Sequence, residues 1–181
     1  MPKAAAPHIA LFRGINVGRA KRIAMAELRV VVANLGYQDV RTLLNSGNLV
    51  FAVPSGSRGD PAPRIEKAVL ARLGVSSRVL VLSAAELATV VAENPLLNVG
   101  EDHSRLLVSL WYDPRDRDRL KPLTTQNWAP EAIAVGTRAC YLWCPGGVLE
   151  SPVGKAVGRV LGSATTVRNW ATISKLRALV G

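Results

Sequence analysis

Acidic residues are missing from both ends of this chain. None precedes Glu27 and none follows Glu150, and 23 Lys+Arg against 13 Asp+Glu leave a net charge of +10. Cysteine and histidine are scarce as well, at two each. Cys140 and Cys144 fall in one expected strand, where four extended residues set their Cα atoms about 13 Å apart. That exceeds the roughly 7 Å a disulfide spans. With no histidine nearby to complete a ligand set, no metal is expected, and both cysteines read as small apolar fillers. His8 and His103 have no partner pattern for a catalytic triad. No apolar run reaches the roughly 18 residues that cross a bilayer, and Met1 to Pro7 lacks the apolar core of a secretory signal. A cytoplasmic location with no membrane partner is the expectation. A Walker loop is excluded because Val153-Gly154-Lys155-Ala156 lacks a hydroxyl after lysine and Leu149 occupies the first glycine position. The dinucleotide fingerprint fails too, since Gly14 and Gly18 are the only glycines in their loop, so no cofactor is expected.

What is present is a globular composition, 49% hydrophobic and 20% charged, too apolar for a disordered chain. Lys3, Arg13, Arg19, Lys21 and Arg22 stand at one end, and Lys155, Arg159, Arg168, Lys175 and Arg177 at the other. These ten account for the whole charge excess. If the ends meet they form one basic surface; the alternative is a basic, solvated exterior.

The apolar spacing predicts strand, helix, strand, strand, helix, strand across residues 8–82. The helix from Met25 carries Leu28, Val31, Val32 and Leu35 on one face and stops at Gly36. Asn45-Ser46-Gly47-Asn48 marks a hairpin. Pro54 to Pro63 is a polar loop, and Ile65, Val69, Leu70 and Leu73 mark the second helix. Ser83 and Glu86 form a capping box for a helix over 84–93. Residues 106–166 repeat the order βαββαβ without a visible residue repeat, and a last helix is expected from about Val167. The fold class is therefore α+β: two ferredoxin-like (βαββαβ) α/β-plait units in tandem, 1–83 and 84–181, with a C-terminal helix.

Topology makes one edge of the first unit stand out. Its first two strands are parallel because a right-handed crossover joins them, so their carboxyl ends share an edge. The loop Gly14 to Arg22 and the turn Asn45 to Asn48 are expected as neighbours there, with Arg78 beside them. That edge offers Arg13 as a planar donor, Asn16 and Asn45 as amides, Ser46 as a hydroxyl and the N–H groups around Gly14 and Gly18. With no carboxylate, cysteine or histidine foreseen, such an inventory binds anions rather than moving protons.

Three motifs, RGINVG at 13–18, NSGN at 45–48 and TTVRNW at 165–170, resemble those of the bacterial DUF1697 family, a domain of unknown function. The resemblance covers about Ile9 to Leu179 and implies two α/β-plait halves but no activity. It singles out Arg13, Gly14, Asn16, Gly18, Met25, Ser46, Gly47, Asn48, Thr166, Arg168, Asn169 and Trp170. The loop Arg19-Ala20-Lys21-Arg22 departs from the glycine–lysine pattern of the family. In the third motif, Thr165 and Thr166 are expected to cap the last helix, with Arg168 and Asn169 in its first turn beside an anion.

The candidate ligand-binding residues are thus Arg13, Gly14, Asn16, Gly18, Asn45, Ser46, Asn48, Thr166, Arg168 and Asn169. The expected partner is an anionic small molecule, such as a nucleotide, or nucleic acid. Phe12 and Phe51 are the only aromatics in the first unit's strands and belong to the core, so nucleic acid would be held by its backbone. The alternatives are an enzyme acting on a small anionic substrate in a cleft between the halves, and a protein-interaction scaffold. The oligomeric state is left open.

Overall fold

A computed structural model describes residues 5–19 and 21–181; Lys3 and Ala20 of the basic segments lie outside the described residues. Contacts divide the chain into two units, Met1–Ala85 with Ala178–Gly181, and Glu86–Arg177. Among the described residues there are two four-stranded antiparallel sheets and six α-helices.

The first unit runs β1 (Ala6–Phe12), α1 (Met25–Ala33), β2 (Gln38–Leu43), β3 (Asn48–Val53), α2 (Pro61–Leu73) and β4 (Val79–Ser83), with sheet order β2-β3-β1-β4. Since β3 is antiparallel to both β1 and β2, those two strands point the same way and end at one edge. Ala10, Phe12, Leu49, Phe51 and Val79 pack with Leu28, Val31 and Val32 of α1 and Ile65 and Val69 of α2. Residues of alternate parity point to the other face, yet Ile9, Leu11, Val50 and Leu82 are equally buried. Burial on both faces explains why β1 and β3 read as continuous apolar runs rather than alternating ones. Asp60 caps α2 by accepting from Ala62 N–H at 2.9 Å, and Gly74 ends it at φ 67, a left-handed stop that favours glycine.

The second unit contains α3 (Ala84–Ala92, shared at its first turn with the first unit), β5 (Leu106–Trp111), a 3-10 turn over Pro114–Leu120, α4 (Lys121–Thr124), β6 (Ala132–Val135), β7 (Ala139–Trp143), α5 (Pro152–Leu161), β8 (Thr165–Asn169) and α6 (Trp170–Val180, whose residues from Ala178 on are assigned to the first unit). Its sheet order is β6-β7-β5-β8. Leu107, Trp111, Cys140, Leu142 and Cys144 pack with Leu120, Leu123, Val153, Val157 and Leu161. On the opposite face the Tyr141 hydroxyl donates to the Val90 carbonyl of α3 at 2.6 Å. Glu93, just past α3, accepts from Thr137 N–H at 2.7 Å and from its hydroxyl at 2.6 Å, which satisfies the β6–β7 turn. Ser151 caps α5 through Gly154 N–H at 2.9 Å, and Glu131 accepts from Val153 N–H at 2.9 Å. The positive end of that helix is therefore met by an acid of the same chain.

One expectation is corrected. The last helix does not begin near Val167: Thr165 to Asn169 form β8, paired with β5 from Thr165↔Trp111 to Asn169↔Leu107. The β-branched run Thr165-Thr166-Val167 suits a strand, and pairing satisfies the free side of β5, which a helix start at Val167 would leave bare. The helix begins at Trp170, and its first-turn N–H groups are met by Asn169, whose Oδ1 accepts from Thr172 N–H at 2.9 Å. Arg168 is thus a strand residue, and the helix-dipole argument does not apply to it.

Cys140 and Cys144 are free and buried. Burial pushes the Cys140 thiol up to about 12, against a smaller opposing hydrogen bond with Ser109, and burial also raises the Tyr141 hydroxyl. The folded chain therefore keeps protons that the unfolded chain releases from about pH 9 upward, so stability falls as pH rises. Urea unfolding between pH 8 and pH 11 should show a loss of roughly 1.4 kcal/mol per pH unit for each such group within its window. Cys140→Ala should flatten that slope.

Candidate functional site

The sequence-derived candidates fall into two sets, one in each unit. In the first, Arg13 to Gly18 leave the end of β1 and Asn45 to Asn48 form the β2–β3 turn. Phe12 N–H donates to Gly47 O at 2.9 Å, and Arg13 N–H donates to Arg78 O at 2.9 Å. The two motifs and Arg78 therefore meet at one edge, where the strand directions place them.

Asn16 holds this edge together. Its Oδ1 accepts from Ile23 N–H at 2.8 Å, and its Nδ2 donates to Ile23 O at 2.9 Å and to Asn45 O at 2.7 Å. Asn16 N–H donates to Lys21 O at 3.0 Å. The amide closes the loop onto itself and clips it to the hairpin. Both of its donors are spent on backbone carbonyls, so Asn16 positions the loop and does not present its NH2 to a ligand. Asn48 behaves alike: buried, it donates to Leu43 O at 2.9 Å and to Ser46 Oγ at 3.0 Å. Ser46 and Asn45 are exposed at the turn.

Gly14 at φ 68, Asn16 at 54 and Gly18 at 60 take the left-handed region at alternate positions, and Lys21 further along the loop takes it at 49. A Cβ added at Gly14 or Gly18 meets nothing within 4 Å, whereas one at Gly47 would lie 2.6 Å from Ile15 Cδ1 and 2.7 Å from Phe12 Cβ. Gly14 and Gly18 serve conformation; Gly47 serves close approach. Arg13, Arg19, Lys21, Arg22 and Arg78 are exposed around the loop. Arg22 also donates to Gly18 O at 2.7 Å, which holds one guanidinium at the loop tip.

Two side chains at this edge escape a reading by motif. Ser77 Oγ donates to Arg13 O at 2.9 Å, and Glu66 of α2 accepts from Val79 N–H at 2.7 Å. Both line a groove of about 400 Å³ with Lys67, Leu70 and Arg78. The expectation of an edge without carboxylates is therefore corrected. No local signal marks Glu66, because its partner lies in a strand 13 residues on.

The second set lies on β8. Thr166 and Arg168, two residues apart, share a strand face. Arg168 Nη1 donates to Thr166 Oγ1 at 3.1 Å and to Val167 O at 2.8 Å. Burial pushes its guanidinium down to about 10, and Tyr112 acts weakly the other way; it stays charged at neutral pH. Thr166 is buried, and Asn169 is occupied as the cap of α6. In this set, Thr166 and Asn169 are engaged with the chain itself.

Replacing Asn16 tests its positioning role. Asn16→Ala removes three hydrogen bonds and should lower unfolding free energy by roughly 2–4 kcal/mol. Asn16→Asp should cost at least as much at pH 7, because a carboxylate then faces two carbonyls, and the deficit should narrow below about pH 4 as it protonates. Gly47→Ala should cost more than Gly18→Ala, since both are strained by φ but only Gly47 is also crowded. Denaturant unfolding of the set checks all four.

No curated protein matches the chain. Among solved structures, the conserved bacterial protein SP0830 from Streptococcus pneumoniae has a similar fold, with a TM-score of 0.77 at 22% identity, covering 98% of this chain and 100% of that one. A family model described as a protein of unknown function, DUF1697, matches residues 6–141, which include the RGINVG and NSGN motifs but stop short of TTVRNW. On that match the chain belongs to the DUF1697 family.

Proposed function

We propose that the chain binds a phosphate-bearing or other anionic ligand, a nucleotide or a nucleic-acid backbone, at the carboxyl edge of its first sheet. The alternation of φ carries this reading: it is positive at Gly14, Asn16 and Gly18 and not at Ile15 and Val17 between them. Alternating handedness is the backbone pattern of concave anion-receiving loops; the Asn16 N–H, spent on Lys21 O, is not among the donors of this one. Exposed guanidinium groups at Arg13, Arg19, Arg22 and Arg78 surround it, and their planar forks suit phosphate oxygens. Asn16 keeps the loop in shape before any ligand arrives, which lowers the ordering cost of binding.

We read each unit as a ferredoxin-like α/β plait, a reading supported by the chain order βαββαβ and the matching strand orders β2-β3-β1-β4 and β6-β7-β5-β8. On this reading the plaits divide near 83/84, with α6 appended. The two free, buried thiols suit a cytoplasmic location.

Calorimetric titration with inorganic phosphate, a mononucleotide and a short oligonucleotide tests the binding site. Arg13→Ala and the pair Arg19→Ala/Arg22→Ala should each weaken binding by about tenfold or more, the size of a lost charge-assisted contact. Oligonucleotide affinity should fall steeply with added salt and mononucleotide affinity less so, in proportion to the phosphates engaged. Unchanged affinity in both arginine variants would remove this edge from the function.

A further inference from the structure

Two exposed aliphatic side chains stand at the same basic edge. Val17 is 67% exposed and Leu44 is 53% exposed. They follow and precede Asn16 and Asn45, whose hydrogen bond joins the two turns, so they flank one hydrogen-bonded junction. Leu44 also adopts φ 59, the left-handed region where asparagine or glycine is the favoured occupant and a bulky residue is uncommon. The chain thus keeps a strained backbone and a water-exposed apolar side chain at one position. Exposed Arg13, Arg19, Lys21, Arg22 and Arg78 stand about the same two turns.

We propose that this edge docks on the face of an anionic lipid bilayer, with Val17 and Leu44 entering the interfacial layer and the cations meeting headgroup phosphates. The inference deepens the anion-binding reading and rests on it. Aliphatic tips within a basic ring match a surface that is negative outside and apolar just beneath. They match nucleic acid poorly, because bases are held by stacking on aromatic rings, and Phe12, the aromatic at this edge among the described residues, is buried. Among the described residues no helix is long and apolar enough to cross a membrane, a fact that does not bear on surface contact. The cytoplasmic leaflet, which carries the anionic lipids, is the fitting partner.

Vesicle co-sedimentation of the full chain tests this. Vesicles of phosphatidylcholine alone are compared with vesicles holding about one third phosphatidylserine. The wild type should sediment with the second and not the first, and added salt should release it. Leu44→Asn is the discriminating variant, since asparagine relieves the backbone at φ 59 and the protein should fold at least as well. It should lose about tenfold in vesicle partition while keeping wild-type affinity for inorganic phosphate. Val17→Thr, nearly equal in shape, should lower partition in the same way. Equal sedimentation of Leu44→Asn and wild type overturns the proposal. So does a wild type that binds phosphate but no vesicle, which leaves the anion site standing; failure to bind either one removes both. Loss of oligonucleotide binding rather than vesicle binding in Leu44→Asn would assign the edge to nucleic acid instead.

Discussion

The side chain of Asn16 is the constraint on which the candidate site depends. One amide joins the loop after β1 to its own far end at Ile23 and to the hairpin turn at Asn45. Without it, two turns that are distant in sequence would share an edge only through the ends of their strands. An amide suits this position for two reasons: it offers an acceptor and a donor to the N–H and C=O of one residue, Ile23, and asparagine tolerates the left-handed backbone found there. The anion binding proposed above rests on this geometry, since a loop already fixed in shape needs little further ordering to meet a ligand.

Burial sets how that edge is mounted. In the first unit β1 and β3 are buried on both faces, and β1 is central in the sheet, between β3 and β4. A loop leaving such a strand starts from a fixed point. The second unit has the same strand order but a different inventory at its ends: Glu93 satisfies the β6–β7 turn, and Glu131 with Ser151 completes the start of α5. Its polar groups are directed to holding its own backbone.

Much of this was readable from the sequence, and the reasons for success and failure are physical. Turn and helix punctuation is local, so α1, α2 and the hairpin at Asn45 to Asn48 follow from apolar spacing and glycine signals. Convergence of the RGINVG and NSGN motifs follows from strand direction alone. The third motif misled because Thr-Thr before an apolar run reads as a helix cap, while the decisive influence was the free side of β5, a partner more than 50 residues away. Glu66 and Ser77 were missed for the same reason, as both act on backbone groups of other elements. Asn16 was identified, but as a donor to a ligand; only coordinates show that its donors are spent within the chain.

Because both faces of β1 are closed off, residues 9–12 admit little change, whereas the side chains of Arg19, Lys21 and Arg22 are exposed and can vary without disturbing the sheet. This chain already carries its own version there, Arg19 to Arg22, behind an RGINVG stretch that fits the family pattern. Such a division lets one scaffold diversify: relatives could exchange the outer half of the loop, and with it the molecule they recognise, while the mounting beneath stays as it is.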